Sequence, residues 1–538
     1  MSKKRFLIWI PFSLLLCYTL GMVGYEAMLS FVNYRIVRGV SGSEFIGLKN
    51  YQMIFSRPEV GAGVSSSIMQ TLLYMLPAMG IGMLLSFLFG LIPSRKVKSA
   101  LAGSALLVTL IPTILVEQGV LNWINGIFML MREIGFSSFP INALVDPTAT
   151  MIVLAITNMI PQIALVMFAG LSLSISTGMS PWKGALIAGL LPMMTLFTPS
   201  LSSAYLASTA MNRAATDNLP MLVFRYGMMN GQFSRAAAIS TVARLLNLVM
   251  SVLPMLLIGF FVKSDAKNLR VREERHSWGF EMLITFGAAL VLALVYVFAK
   301  YMDSAVVLEE TLTYALNSAA TGVIALIVGF LVCFLFIALS RYAEGKTSFV
   351  FAIMLVLLSM ISNYLMSGYI AFRNMGMMNT FFGAALGSLS NPIFLMILLV
   401  LLLQRPATMR QTMFLTLGGA FIAAACCMGD YLSGTVMSNS RSVLPLATVL
   451  RQLITQGNAT MSDGTLINSA DAINSSKFLL AVLVAVAAVP GVAFVMGGVG
   501  GVQSVKEWEA SNEEVYWEEE PVEEAEASEA DVSPDEAF

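Results

Sequence analysis

Apolar runs long enough to cross a bilayer recur along the chain as far as about residue 500. A membrane-spanning helix needs about 20 consecutive, mostly apolar residues. Of the 538 residues, 57% are hydrophobic and only 12% are charged, whereas soluble domains carry roughly 25% charged residues. This composition excludes a soluble protein with one hydrophobic core and predicts an all-α polytopic membrane protein.

The runs fall into two groups of six, which predict about twelve transmembrane helices. The predicted spans of the first group are Phe6–Val32, Gln70–Pro93, Ser99–Leu121, Thr148–Leu171, Gly184–Ala207 and Ile239–Val262. Those of the second group are Phe280–Lys300, Asn317–Ser340, Phe349–Met366, Phe381–Gln404, Thr412–Tyr431 and Phe478–Val499. The chain therefore divides into a first half (1–262), a charged linker (263–279), a second half (280–500) and a tail (501–538).

Basic residues are concentrated in the loops that face the cytoplasm if the N-terminus is inside, as in most membrane proteins. These loops include Lys3–Arg5, residues 95–98 and the linker 263–279. The bias predicts that both termini are cytoplasmic. Each half then enters and leaves from the same side, so the halves are parallel repeats and a pathway would lie at their interface.

The tail after Lys506 is strongly acidic and contains no Lys or Arg. Such a run repels itself and has too few apolar residues to form a core, so we expect it to be disordered. Two interpretations stay open for it. It is a solvated, solubilising tail, or it is a docking segment for a basic partner.

Residues that carry catalysis or metal binding are scarce. The one histidine, His276, lies in the charged linker, which argues against a His-based metal site or a Ser-His pair. The four cysteines lie within apolar runs and are predicted to be small core residues. The sequence has no G-x-x-x-x-G-K-[ST] loop for phosphates. We expect no enzymatic activity, no catalytic residues, no metal and no cofactor.

Polar residues within the spans are the candidates for a substrate pathway, because charges there are costly and usually face protein or water. The candidates are Glu117, Gln118, Trp123, Asn158, Gln162 and Asp430. Structural alternatives are open. Asn158 and Gln162 would join helices, Trp123 would belong to the interfacial aromatic belt, and Asp430 would reach the outer headgroups. We expect Arg244 to extend to the outer surface.

Short motifs occur in a recognisable order. Phe45–Tyr51 corresponds to F-x-G-L-x-N-Y, Gln70–Tyr74 to N-T-L-x-Y, Phe168–Leu171 to F-L-A-G-L, Gly178–Lys183 to D-G-A-S-x-W, Gly376–Thr380 to G-L-L-N-T and Pro406–Arg410 to G-A-S-x-W. In this order the motifs resemble those of the permease subunits of carbohydrate-type (maltose-transporter-like) ABC importers. The resemblance covers most of residues 1–500, more strongly in the first half.

The resemblance implies a natural fusion of two permease subunits, with two parallel six-helix repeats of the type I ABC permease fold. It also implies a bacterial-type inner or plasma membrane and import of a carbohydrate-like solute. The implied partners are the lipid bilayer, separate ATPase subunits and an extracytoplasmic solute-binding protein, with no nucleic acid.

One departure concerns the coupling loops. Family permeases place a cytoplasmic helix with a Glu-Ala-Ala core between A-G-L and D-G-A-S, and this helix docks on the ATPase. Here only Ser172–Thr177 separates Leu171 from Gly178, whereas a helix of two to three turns needs about 8–11 residues. Both loops are therefore predicted to be degenerate. Their residual residues are Ser174, Gly178, Ser180, Trp182, Lys183, Arg405, Pro406 and Arg410.

Two functions follow from these observations. The first is a transmembrane permease-like subunit of an ABC-type solute importer, with its coupling to ATP left open. The second is a permease-derived, non-transporting scaffold or receptor subunit of a membrane complex. The degenerate coupling loops favour the second function, whereas the retained spans and motifs fit both.

Overall fold

The computed structural model describes residues 9–136, 138–177, 179–195, 197–265, 269–270, 308–340, 365–404, 408–438, 440–456, 469–499 and 503–504. Helices make up 81% of these residues. Eight of the helices are long and apolar enough to cross a membrane, and one bent pair would make a ninth. The described part of the chain is thus that of a multi-pass, all-α membrane protein.

The first half contains a short two-stranded hairpin among its helices. Its elements are α1 (Trp9–Ser30), β1 (Val32–Arg35), β2 (Gly39–Phe45), α2 (Lys49–Phe55), α3 (Pro58–Gly90), α4 (Arg95–Thr109), α5 (Thr113–Glu133), α6 (Pro147–Thr177), α7 (Pro181–Leu190), α8 (Leu201–Ala207), α9 (Arg213–Thr216), α10 (Leu219–Phe224), α11 (Phe233–Asp265) and β3 (Leu269–Arg270). A 3₁₀ turn (Leu191–Thr195) follows α7, and a π turn (Arg225–Met229) follows α10.

The second half continues with α12 (Leu308–Ser340), α13 (Leu365–Asn374), α14 (Phe381–Ser388), α15 (Pro392–Leu403), α16 (Met409–Gly429), α17 (Tyr431–Met437), α18 (Leu446–Gln456), α19 (Ser469–Val499) and β4 (Gln503–Ser504). Strands β1 and β2 form an antiparallel hairpin. Strand β3, which lies in the linker, and strand β4, at the start of the tail, pair antiparallel.

The helices α1, α3, α6, α11, α12, α16 and α19 lie where the sequence predicts spans, and each passes the length and hydropathy test for a membrane helix. The predicted span Phe280–Lys300 and nearly all of Phe349–Met366 lie outside the described residues, as do the linker 271–279 and the tail from residue 505. The number twelve therefore stays a prediction.

Three predicted spans are interrupted instead of continuous. Ser99–Leu121 divides into α4 and α5, Gly184–Ala207 into α7 and α8, and Phe381–Gln404 into α14 and α15, which meet at 57°. Proline accounts for the positions of these breaks, because it lacks an N–H donor and restricts the residue before it. Pro112, Pro199 and Pro392 each stand immediately before or at the start of a new helix.

Polar side chains cap the helices that begin at two of these breaks. The Asn391 side chain accepts a hydrogen bond from the Ile393 N–H, 2.9 Å away, at the start of α15. The Ser200 hydroxyl accepts one from the Ser203 N–H at the start of α8. Such caps satisfy backbone donors that the helix leaves unpaired. The chain can therefore break inside the bundle without leaving those donors orphaned.

The two ends of the bundle differ. One end, called here the basic end, consists of residues 91–98, 172–177, 179–183, 404 and 408–411, and includes the C-terminal end of α19. Arg95 Nη2 donates to the Ile175 carbonyl at 3.2 Å, and Gln404 Nε2 contacts Ser172 Oγ at 3.1 Å. The opposite end, called the hairpin end, carries β1, β2 and α2. There the Tyr34 N–H donates to Ser234 Oγ at 2.9 Å.

Candidate functional site

A cavity lies between the two halves, near the middle of α3 and α6. Its volume is about 130 Å³, and a site for one water needs roughly 10–15 Å³. The wall includes Tyr74 of α3 and Gln162 of α6 from the first half, with Phe372 of α13 and Ser433 of α17 from the second. The cavity therefore has room for several water molecules or for part of a small solute.

Helix interruptions from both halves converge on this cavity. From the first half, the wall contains the break between α4 and α5 (Thr109, Ile111, Thr113), the segment before α8 (Thr198, Ser200) and Pro161 inside α6. From the second half, it contains the break between α14 and α15 (Ser390–Pro392) and the one between α16 and α17 (Asp430). Within a bilayer, irregular backbone is tolerated where protein buries it or where it lines a water-filled cavity. Discontinuous helices at a repeat interface are typical of transporter binding sites.

The structure brings together three of the predicted pathway residues. Asn158, Gln162 and Asp430 all line the cavity. Glu117 does not line it, although it is buried nearby on α5. Gln118 is half-buried and is also absent from the wall. Trp123 is 61% exposed on the outside of α5, so the structural alternative, an interfacial aromatic, describes its position better.

Asn158 joins two helices. Its Nδ2 donates to the Leu154 carbonyl at 2.8 Å and lies 2.9 Å from Ser203 Oγ, which in turn lies 3.1 Å from Asn158 Oδ1. These bonds connect α6 to α8. The Asn158 amide therefore makes its hydrogen bonds within the protein, in agreement with the alternative that Asn158 joins helices. It forms part of the cavity wall as a bonded group.

Thr157 and Gln162 differ from Asn158. Thr157 Oγ1 and Gln162 Oε1 are buried, line the cavity and have no hydrogen-bond partner among the described residues. Thr157 is only 1% exposed. Because buried polar groups in native proteins are almost always hydrogen-bonded, each exception needs an explanation. A water molecule or a polar solute held in the cavity would be such an explanation.

Among the described residues of the cavity wall, Asp430 is the only acidic one, and none is Lys or Arg. Its Oδ1 accepts from the Leu432 N–H at 2.9 Å, and its Oδ2 accepts from Ser433 Oγ at 2.5 Å. The carboxylate thus caps α17 and faces the cavity. The expectation that Asp430 reaches the outer headgroups does not describe this position.

A second set of polar contacts closes the junction beside the cavity. The Tyr431 hydroxyl donates to the Ser202 carbonyl of the other half. Arg451 lies with its guanidinium carbon 3.7 Å from the centre of the Tyr205 ring, a cation–π contact between the halves. Glu117 is 2% exposed, its Oε2 has no hydrogen-bond partner among the described residues, and it interacts electrostatically with Tyr431.

Arg244 corrects an expectation from the sequence. It does not extend to the surface. It is 5% exposed, and its Nη2 lies 2.9 Å from Glu26 Oε2. The pair joins α1 to α11, since a buried charge in a bilayer is stable only with an opposite partner.

Five of the eight residual coupling-loop residues are described by the structure, and these five lie at the basic end. Ser174 Oγ donates to the Leu171 carbonyl at 2.8 Å within α6, and Ser180 precedes α7. Trp182 is 50% exposed, with Lys183 Nζ 5.9 Å from its ring centre, and Arg410 lies over Phe414. Gly178, Arg405 and Pro406 lie outside the described residues. Residues 178–180 connect α6 to α7, and 404–408 connect α15 to α16.

Several residues at the contact between the two halves are not predicted by the sequence. Thr157 was detectable, because it stands beside Asn158 in an otherwise apolar span. Ser202, Tyr205, Tyr431 and Arg451 gave no such signal, since their roles depend on contacts between segments more than 200 residues apart. Within the described residues, no group of three or more His, Cys, Asp or Glu side chains is arranged to hold a metal.

Comparison with known proteins gives no relative: no protein-family model, no curated protein and no solved structure matches this chain. The resemblance to ABC importer permeases therefore stands on the sequence motifs, and the functional argument stands on the cavity.

Proposed function

We propose that this chain is the permease-like transmembrane subunit of an ABC-type solute importer, with its solute pathway through the cavity between the two halves. The observation that carries the proposal is the convergence of helix interruptions from both halves on one polar cavity. Thr157 and Gln162, which belong to the same wall, each have a polar atom without a hydrogen-bond partner among the described residues. A purely structural interface in a bilayer has no need of such groups.

The order of the elements supports two parallel repeats. Helices α3 and α12 are both 33 residues long, and α8 and α17 are both seven residues long. Helices α11 and α19 end the two halves, with Pro254 and Pro490 inside them. In this scheme Ser200 and Asp430 are equivalent, because each caps the seven-residue helix of its half. Both line the cavity, so the proposed axis between the repeats would pass through it.

The chemistry of the wall supports a hydroxyl-rich solute of carbohydrate type. Apart from Asp430, its polar members carry hydroxyl or amide groups, which donate and accept hydrogen bonds without a net charge. Phe372 and Tyr74 add aromatic rings. In the predicted orientation, a solute-binding protein delivers the solute at the hairpin end, and the ATPase subunits meet the basic end.

The connection between α6 and α7 favours a second candidate function. Residues 178–180 leave no room for a coupling helix, so force from an ATPase would need another route into the membrane helices. A permease-derived scaffold or receptor subunit needs no such route. It would keep the bundle and the cavity without transport.

Two measurements on the full chain in nanodiscs separate these functions. Equilibrium binding of radiolabelled maltose and glucose is expected, and Gln162→Ala is expected to weaken it about tenfold, whereas Leu84→Ala, on the exposed side of α3, leaves it unchanged. A tenfold loss corresponds to about 1.4 kcal/mol. No binding by the unaltered protein would contradict the carbohydrate assignment.

The second measurement is ATP hydrolysis after addition of purified sugar-importer ATPase subunits. The importer proposal expects the chain to stimulate hydrolysis. Saccharide binding without stimulation would instead support the receptor function, because the solute site would be present and the coupling absent.

A further inference from the structure

The basic end carries a concentrated positive surface. Arg95, Lys96 and Lys98 lie in the first turn of α4, Lys183 in the first turn of α7 and Arg410 in the first turn of α16. Lys96 and Arg410 are exposed, and the other three are half-buried. The described residues 91–98, 172–183 and 408–411 contain no Asp or Glu.

The placement of these charges is unfavourable for the helices themselves. A helix N-terminus carries a partial positive charge, so acidic residues stabilise the first turn and basic residues do not. No acidic residue occupies the first turn of α4, α7 or α16. The helix dipoles therefore add to the positive potential of the side chains, and the surface favours an anionic partner.

The chain itself delivers such a partner to this end. Strand β4 (Gln503–Ser504) pairs with β3 and lies beside α6, whose last turn Arg95 contacts. The acidic tail follows directly, with Glu507 and Glu509 within a few residues of Ser504. At roughly 3.3–3.6 Å per extended residue, these carboxylates can reach the positive surface.

We propose that the acidic tail, residues 507–538, docks on the positive surface at the basic end of its own chain. Opposite charge supplies the attraction, and tethering raises the effective concentration of the tail to the millimolar range. Anionic lipid headgroups are also attracted to such basic segments, but they are not covalently linked to the site. The inference goes beyond the proposed function, since docking requires neither solute nor ATPase.

Carbodiimide cross-linking of the full chain in nanodiscs tests the proposal, because it joins carboxylates to lysine amines that are in contact. Mass spectrometry is expected to find tail peptides joined to Lys96, Lys98 and Lys183, and not to Lys49 at the hairpin end. The yield is expected to fall at least threefold between 0.1 M and 1 M salt, since the Debye length shrinks from about 10 Å to about 3 Å. Tail cross-links that avoid Lys96, Lys98 and Lys183 would overturn the proposal.

Two controls keep the result decisive. Replacing the tail glutamates and aspartates by glutamine and asparagine leaves the membrane helices unaltered and is expected to remove all side-chain cross-links of the tail, whereas Lys49→Glu is expected to leave them unchanged. Mixing isotopically labelled and unlabelled protein distinguishes the chain's own tail from that of a second copy. Cross-links that join labelled to unlabelled chains would overturn docking within one chain, and so would undiminished yield at 1 M salt.

Discussion

Two levels of the helix bundle are held together by different contacts. Toward the basic end, helices pack backbone against backbone at glycine: a Cβ on Gly418 would lie 2.8 Å from the Val495 backbone nitrogen, and one on Gly184 would lie 2.8 Å from the Gly170 carbonyl oxygen. Two polar contacts, Arg95–Ile175 and Gln404–Ser172, supplement this packing. From the cavity to the hairpin end, a larger set of polar side chains joins the helices. Asn212, for example, donates to the Leu144 and Ala207 carbonyls.

In the proposed importer, the difference predicts where the pathway would be closed. Apolar burial gives little drive for helix association in lipid, so close packing and hydrogen bonds hold the helices together. The glycine level leaves no space between α16 and α19. The polar level leaves a cavity and unpartnered groups at Thr157 and Gln162. A solute entering from the hairpin end would therefore stop at the cavity until the glycine level opens.

The largest expected effect is at the polar level, at the buried Glu26–Arg244 pair. Arg244→Leu leaves the Glu26 carboxylate without its guanidinium, and breaking a buried pair costs about 3–5 kcal/mol. The loss is measured as thermal unfolding in detergent by size-exclusion chromatography. Arg225→Leu is the control, because the Arg225–Asp217 pair is 21% exposed and such pairs contribute less. Equal losses in the two variants would contradict the assignment.

The next effect tests the glycine level. Gly418→Ala places a Cβ against the backbone of α19 and is expected to lower stability by about 1–3 kcal/mol. Gly80→Ala is the control, since no atom lies within 4 Å of its added Cβ, and this change is expected to be neutral or stabilising. Equal unfolding temperatures for Gly418→Ala and Gly80→Ala would contradict the close packing of α16 against α19 at Gly418.

A smaller effect is expected at the junction of the halves. Tyr431→Phe removes the hydroxyl that donates to the Ser202 carbonyl and keeps the ring, so the expected loss is about 1 kcal/mol. Tyr25→Phe is the control, because the Tyr25 hydroxyl makes no hydrogen bond within the described residues. Unfolding temperatures that do not differ between these variants would show that the contact contributes nothing.

The smallest effect separates a binding group from a structural one on the same helix. Thr157→Val is expected to change stability by less than about 0.5 kcal/mol, because the Thr157 hydroxyl has no protein partner. Thr150→Val is expected to cost about 1 kcal/mol, since Thr150 Oγ1 bonds the Asp146 carbonyl at 2.9 Å. A larger loss for Thr157→Val than for Thr150→Val would place Thr157 among the structural residues.

The sequence located most helices and part of the site. Long apolar runs identify α1, α3, α6, α11, α12, α16 and α19, because a bilayer demands them. Asn158, Gln162 and Asp430 were found because polar residues are rare in such runs. These three share one cavity, although their role in solute transport stays a prediction.

The helix breaks and the position of Arg244 could not be predicted from the sequence, because they depend on tertiary contacts. The breaks at Pro112 and Pro199 lie within continuous apolar sequence, where a proline permits either a kinked helix or two separate ones. Only packing around the cavity decides between them, as when Asn247 Oδ1 accepts from the Phe197 N–H at 2.7 Å beside the second break. Arg244 was misplaced for a related reason, since the sequence of α11 does not indicate that Glu26 lies against it.

The central claim is that water and solute reach the cavity between the halves. Cysteine accessibility tests it most directly, in a variant whose four cysteines, Cys17, Cys333, Cys426 and Cys427, are replaced by alanine. A membrane-impermeant thiosulfonate reagent is expected to label Gln162→Cys and to leave Leu84→Cys, on the exposed side of α3, unlabelled. Failure to label Gln162→Cys in folded protein would contradict a solute pathway through this cavity.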